Sequence, residues 1–275
     1  MNRPGDAEIL IAARSALLDA LEALADQCGA LVLIGAQAIY LHTGDAPVAL
    51  AEATKDSDLA VDPRALHDEP LLEEAMKRAG FHRNLIDPQP GSWLSPSGIP
   101  VDLMVPALLA GGSGRRGGRI PPHSRHATRC ATGLEPAVVD HAPMTIRSLD
   151  PEDTRSAEIE VAGPAALLIA KLHKLGERQN MPGRLLDKDA HDVYRLLVAT
   201  ETLTLASALA ELRGSELAGS VTKEAMTYLE QLFAPGPEAL GATMAGRAEE
   251  LLGSAPVVSA AVATLAADLV AALAG

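Results

Sequence analysis

The sequence predicts a mixed α/β fold class, in which a small mixed sheet with helices is followed by a helical domain. Three observations predict it. Short apolar runs of strand length alternate with helical stretches through the first 162 residues. Strand character then stops at Gly163-Pro164. Beyond that point the apolar residues keep a helical period that only Pro and Gly interrupt. The expected domains are therefore residues 1–162 and 163–275 of a chain of 275, long enough for two modest hydrophobic cores.

Taken in order, Glu8 to Cys28 carries Ile9, Ile11, Leu17, Leu18, Leu21 and Leu24 at helical spacing, and Gly29 stops it. Ala30 to Ile34 is a glycine-bounded apolar run that predicts a buried strand, entering a helix over Ala36 to His42 through Gly35. Asp58 to Val61 predicts a second strand. Ala65 to Gly80 predicts a helix, with Asp68, Glu69, Glu73 and Glu74 early and Lys77 and Arg78 late, as the helix dipole favours. Ile99 to Val105 predicts a third strand, and Ala137 to Ile146 and Ala157 to Val161 two more. Gly, Ser, Arg and Pro between Ala110 and Pro122 predict a mobile loop. From Ala165 to Gly275 helices are expected, with breaks at Pro182-Gly183, Arg213-Gly214, Pro235-Gly236-Pro237 and Ala255-Pro256.

Composition narrows the function. Hydrophobic residues make up 48% and aromatics 2%, so Ala, Leu and Val build the interior and a platform of stacked aromatic rings for nucleobases is not expected. No apolar run of 18 residues stands out and the first residues are polar, so the expectation is a soluble cytoplasmic protein without a membrane partner. Cys28 and Cys130 lack the spacing of a zinc site or a disulfide framework, and the histidines show no HxH or HExxH pattern. A formal charge of −13 disfavours coating of a duplex. Gly111 to Cys130, however, holds Arg115, Arg116, Arg119, Arg125 and Arg129 and no acid, which leaves the rest of the chain at −18. This segment is expected to be an unpacked, anion-facing loop.

Asp56 and Asp58 stand two apart where a strand begins, and strand alternation sends both to one face. Two carboxylates so placed can bind one divalent ion, or they are ordinary solvated acids. Asp102 interrupts the apolar strand between Val101 and Leu103, where a third carboxylate completes a hard-oxygen Mg²⁺ site or simply marks a strand edge. The turn at Gly35 can present the first amides of the following helix to an anion. Downstream, Lys171, Lys174 and Arg178 fall on one helix face, able to hold phosphate charge or to form a solvated basic stripe. Asp189 and Asp192 are three apart; Asp189 can orient a lysine or act as a base, while Lys188 and Asp192 can form a surface ion pair.

The order Leu33-Ile34-Gly35-Ala36, then Thr54-Lys55-Asp56-Ser57-Asp58-Leu59, then Val101-Asp102-Leu103 resembles the nucleotidyltransferase superfamily. With Leu168 to Lys174, Arg178 and Asp187 to Tyr194 added, the chain looks most like the AbiEii-type nucleotidyltransferases, which include toxins of toxin–antitoxin systems. The resemblance spans about residues 30–198. Two positions depart from the family pattern: Ala36 stands where Gly or Ser is usual, and Ser57 replaces an apolar residue within D-x-D, where it should face the core.

The resemblance implies transfer of a nucleoside monophosphate from a nucleoside triphosphate to an acceptor such as tRNA. Asp56, Asp58 and Asp102 would hold Mg²⁺, and Gly35, Ala36, Lys55, Lys171, Lys174 and Arg178 would hold the nucleotide. Lys171 and Asp189 would join the three acids in catalysis. Arg115, Arg116 and Arg119 would touch the RNA, and an antitoxin protein would be a partner. A degenerate module that binds RNA or protein, and an aminoglycoside-type small-molecule nucleotidyltransferase, are the alternatives.

Overall fold

In a computed structural model of the chain, residues 6–44, 46, 48, 55–85, 88–111, 117–250 and 253–274 are described. The fold class is mixed α/β, with one mixed sheet and many helices. Two units emerge: one built on Pro4–Ala38 and Ala53–Gly163, the other on Ile39–Glu52 and Pro164–Gly275. The expected first domain, 1–162, included Ile39–Glu52, which belongs instead with the helical unit. Arg195 explains this: its guanidinium bonds the Thr43 hydroxyl (2.9 Å) and carbonyl (3.1 Å) and lies over the Tyr40 ring.

Among the described residues the first unit contains eight strands: β1 (Leu31–Ile34), β2 (Ser57–Val61), β3 (His82–Arg83), β4 (Ser92–Leu94), β5 (Pro100–Pro106), β6 (Arg129–Ala131), β7 (His141–Arg147) and β8 (Ser156–Ala162). Their order is β3-β4-β5-β2-β1-β8-β7, with β6 also on β5. The pairs β1–β8, β2–β5 and β5–β6 are parallel and the others antiparallel. Helix α1 (Asp6–Ala23) covers one face, where Leu33, Leu59, Leu103 and Val105 are fully buried. Ser57 lies on that face, 1% exposed, and donates to the Ala13 carbonyl of α1 at 3.1 Å, so a hydroxyl in the core is satisfied by a helix backbone.

Several elements differ from expectation. The helix after β2 is shorter: α3 covers Leu72–Arg78, since Pro70 removes a helical N–H and favours a start beyond it. Residues Glu135–Val138 form a 3-10 turn rather than strand, because the Glu135 carboxylate accepts the amides of Leu108 and Gly133 and folds the chain back. Residues 117–122 are packed rather than loose. Gly118 is bonded to the Thr128 carbonyl, a Cβ there would lie 2.4 Å from both Thr128 Oγ1 and Val105 Cγ1, and Ile120 is buried.

The helical unit contains α4 (Pro164–Gly176), α5 (Asp187–Ala199), α6 (Thr202–Gly214), α7 (Gly219–Leu232), α8 (Leu240–Ala248) and α9 (Ala255–Ala274). Pro164 suits the first position of α4, and Asp187 and Asp189 suit the first turn of α5. Gly176 lets α4 approach α7, for a Cβ there would meet the Tyr228 ring at 2.5 Å. The expectation of no span-length apolar segment also needs correcting. Helix α9 has 20 residues, 18 of them in a window of mean hydropathy 2.1, long and apolar enough to cross a membrane by length and composition, because Ser259, Thr264 and Asp268 interrupt the apolar run without lowering its average far. Within its unit α9 packs on α5, α6, α7 and α8.

Candidate functional site

In the sheet unit the candidate acids meet through strand register. Ile34, Asp58, Asp102 and Ser92 are successive partners across β1, β2, β5 and β4. Partners in a sheet project to the same face, so Asp58, Asp102 and Ser92 lie on the face opposite Ser57 and α1. Asp56, two residues before Asp58, acts on Asp102 electrostatically. Burial pushes the Asp102 carboxyl above its ordinary range; the Arg129 guanidinium and the Ser92 hydroxyl pull it back, and the charge on Asp56 adds to the push.

Beside this row is the strand-to-helix turn. Helix α2 (Gly35–Thr43) begins directly at the end of β1, and Gly35 takes φ +69°, a left-handed conformation that favours glycine. A Cβ at Gly35 would lie 2.2 Å from Asp58 Oδ2. The Asp58 carboxylate therefore rests on the bare α-carbon at the head of α2. Ala36 follows it, half-buried, and Lys55 is exposed.

Arg129 was expected in a free loop, but it is the first residue of β6. It pairs with Met104, two residues along β5 from Asp102, and so projects to the same face. Its Nη2 donates to Asp102 Oδ2 at 2.8 Å and contacts Met104 Sδ at 3.4 Å, while Nη1 donates to Gln89 Oε1 at 3.0 Å. Sequence reasoning missed Ser92, Gln89 and this use of Arg129, since three-residue strands carry almost no periodic signal. Of the other arginines, Arg119 is exposed, Arg125 donates to His126, and Arg115 and Arg116 lie outside the described residues.

In the helical unit Lys171 is enclosed by two acids of α5. Its Nζ is 2.9 Å from Asp189 Oδ1 and 2.6 Å from Asp192 Oδ2. Lys174 reaches the same Asp189 oxygen at 2.8 Å. Burial opposes charge on Lys171, but the two carboxylates outweigh it and hold its pKa well above the ordinary value. Burial likewise opposes charge on Asp189, and the two lysines pull its pKa below the ordinary range. The expected Lys188–Asp192 surface pair is thus corrected: Asp192 is buried and faces Lys171. Helix α4 ends at Gly176, so Arg178 lies in the turn that follows it. His173 bonds the Val221 carbonyl and His191 bonds Glu249, so both serve packing.

The acids of the sheet unit are hard oxygen donors of the kind Mg²⁺ prefers. Magnesium sites commonly take one or two carboxylates and complete their shell with water and substrate phosphates. Asp56 and Asp58 are donors of that kind, and Asp102 is ion-paired with Arg129. Among the described residues no group of three His, Cys, Asp or Glu side chains forms a ready metal cage. Comparison with protein-family models, with curated proteins and with solved structures gives no match.

Proposed function

We propose that the chain is a Mg²⁺-dependent nucleotidyltransferase of the kind its motifs resemble, with the sheet unit in a nucleotidyltransferase-like arrangement. The observation that carries this is the Asp58 carboxylate lying on the α-carbon of Gly35, with Asp102 beside it in register. Asp56 and Asp58 would hold the ion, which when bound supplies the positive charge that phosphoryl oxygens need as negative charge builds on them. Glycine at position 35 leaves room for the Asp58 carboxylate at the head of α2, and the first amides of any α-helix have no intrahelical acceptor, so in this reading they bind phosphate oxygens beside the ion. Ser57 holds the strand to α1, which leaves Asp58 on the opposite face of the sheet. In this reading Lys171 and Asp189 act as a fixed pair. The acceptor is an RNA end such as that of tRNA, approached by the arginine segment that includes exposed Arg119.

The test is incubation of the purified chain with each α-labelled nucleoside triphosphate, Mg²⁺ and total RNA. Pyrophosphate release with label on RNA is expected, and its loss in Asp56→Asn and Asp58→Asn. Release that persists in both variants, or none with any triphosphate, overturns the proposal. One observation favours a second reading, a module that binds RNA without transfer. The Lys171 ammonium is closed between two carboxylates and its side chain is only 11% exposed, which leaves it little to offer a phosphate. RNA binding without pyrophosphate release would support that reading.

A further inference from the structure

We propose that Arg129 is a built-in cation at the third carboxylate, and that it restricts the Asp56–Asp58–Asp102 face to a single divalent ion. The inference rests on the nucleotidyltransferase reading and specifies how many ions that site takes. Asp58 and Asp102 share a sheet face and Asp56, just before β2, acts on Asp102 electrostatically; three acids grouped in this way can in principle hold two metal ions about 4 Å apart, the arrangement that clamps both the attacking and the leaving oxygen in two-metal phosphoryl transfer. Here one cation is already supplied by the chain. Arg129 approaches from β6, which lies parallel to the second half of β5, and its guanidinium reaches back along β5 to Asp102 Oδ2 at 2.8 Å.

The guanidinium is itself held. One nitrogen is bonded to Gln89 and the other touches the Met104 sulfur as well as Asp102. Its plane is thus set by three partners, two on β5 and one in the loop before β4, and the Arg129 and Asp102 side chains are only 25% and 14% exposed. A rigid planar fork at a buried carboxylate suits arginine and not lysine, whose ammonium is a point charge on a flexible stem. Removal of Asp102 from the metal-binding set has a chemical consequence. Asp102 would then be a positioned, charge-paired group and not a metal ligand, and the helix amides and the ion held by Asp56 and Asp58 would supply the positive charge that a leaving pyrophosphate needs.

Manganese binding tests this without requiring turnover. Mn²⁺ alone is titrated into the wild-type chain and the Arg129→Met, Arg129→Lys, Asp58→Asn and Arg129→Met/Asp102→Asn variants, and bound ion is counted by electron paramagnetic resonance. One bound Mn²⁺ is expected in the wild type, two in Arg129→Met, and one again in the double variant, because the added site needs Asp102. Arg129→Lys keeps a charge but lacks the fork, and is expected to bind a second ion more weakly than Arg129→Met. This variant retains a cation beside Asp102 and guards against loss of folding in Arg129→Met. One ion in the wild type, lost in Asp58→Asn, with no second ion in either Arg129 variant, overturns the assignment of Arg129 and leaves the nucleotidyltransferase reading standing. No bound ion in any variant overturns both.

Discussion

Asp102 in the sheet and Asp189 in the helical unit are the same residue type, both mostly buried and both joined to a cation, yet their acidities move in opposite directions. At Asp102 burial wins, and Asp56 adds its repulsion against a single guanidinium. At Asp189 two ammoniums win over burial. The helical cluster matches two lysines with two aspartates and is satisfied from within, as a structural ion network must be. In the row on the sheet one guanidinium faces both the burial of Asp102 and the charge of Asp56, so Asp102 is less fully compensated than Asp189. In the proposed reading the charge at the strand ends serves a ligand, while the similar-looking charge on α4 and α5 serves the fold.

The largest effect that can break this contrast is on stability. Lys171→Met would leave Asp189 and Asp192 buried without their shared ammonium, and loss of about 3–5 kcal/mol is expected from breaking such a pair. Urea unfolding followed by far-ultraviolet circular dichroism measures it. Lys174→Met should cost less than about 1 kcal/mol, since that side chain is 35% exposed and Lys171 keeps Asp189 paired. Equal costs for the two lysines would remove the distinction between a closed cluster and a surface stripe.

Asp58→Asn should do the reverse. The amide keeps the shape of the side chain on Gly35 but loses a charged ligand, so transfer should fall at least about a hundredfold, the scale of a few kcal/mol of transition-state stabilisation. The unfolding midpoint should hardly move. A variant that unfolds more readily but transfers normally would make Asp58 a structural residue. Gly35→Ala comes next. At φ +69° an alanine costs about 1–2 kcal/mol of backbone strain, and its Cβ would displace the Asp58 carboxylate. Stability and transfer should therefore fall together there, unlike in Asp58→Asn.

Much of the sheet site was legible in the sequence because it is local. The apolar run into Gly35, the two-residue spacing of Asp56 and Asp58, and the acid inside Val101-Asp102-Leu103 are each read from a few neighbours. Ser57 was legible as a core-facing residue, but not its acceptor, since the Ala13 carbonyl belongs to a helix 44 positions away. The partner of Asp102 was not legible for the same reason. Arg129 is 27 residues downstream, in a strand of three residues, and only pairing with β5 brings it to the acid. On α4 and α5 the residue types were legible but not their sense, because helical spacing places charges on a face without telling whether that face meets solvent or another helix.

The smallest expected effect is a change in pH dependence, and it compares the two aspartates directly. A carboxyl whose folded pKa is raised takes up its proton more readily in the folded state, so its contribution to stability falls as pH rises through the window above the ordinary value of about 3.9. Asp102 belongs to that class. Asp189, with its folded pKa lowered, has the opposite sign: its stabilisation is complete above the ordinary value and is lost as pH falls through the folded one. Asp102→Asn removes only the first dependence. The stability of the variant relative to wild type should therefore be greater at pH 7 than at pH 3.5, whatever the offset caused by leaving Arg129 without its carboxylate. The tryptophan at position 93 is the only one in the chain, is 1% exposed in β4 and adjoins Ser92, so its fluorescence reports unfolding of this sheet. A variant-minus-wild-type difference that is constant with pH, or that grows on acidification, would mean that the guanidinium outweighs burial at Asp102, and the sheet row would then be as internally satisfied as the helical cluster.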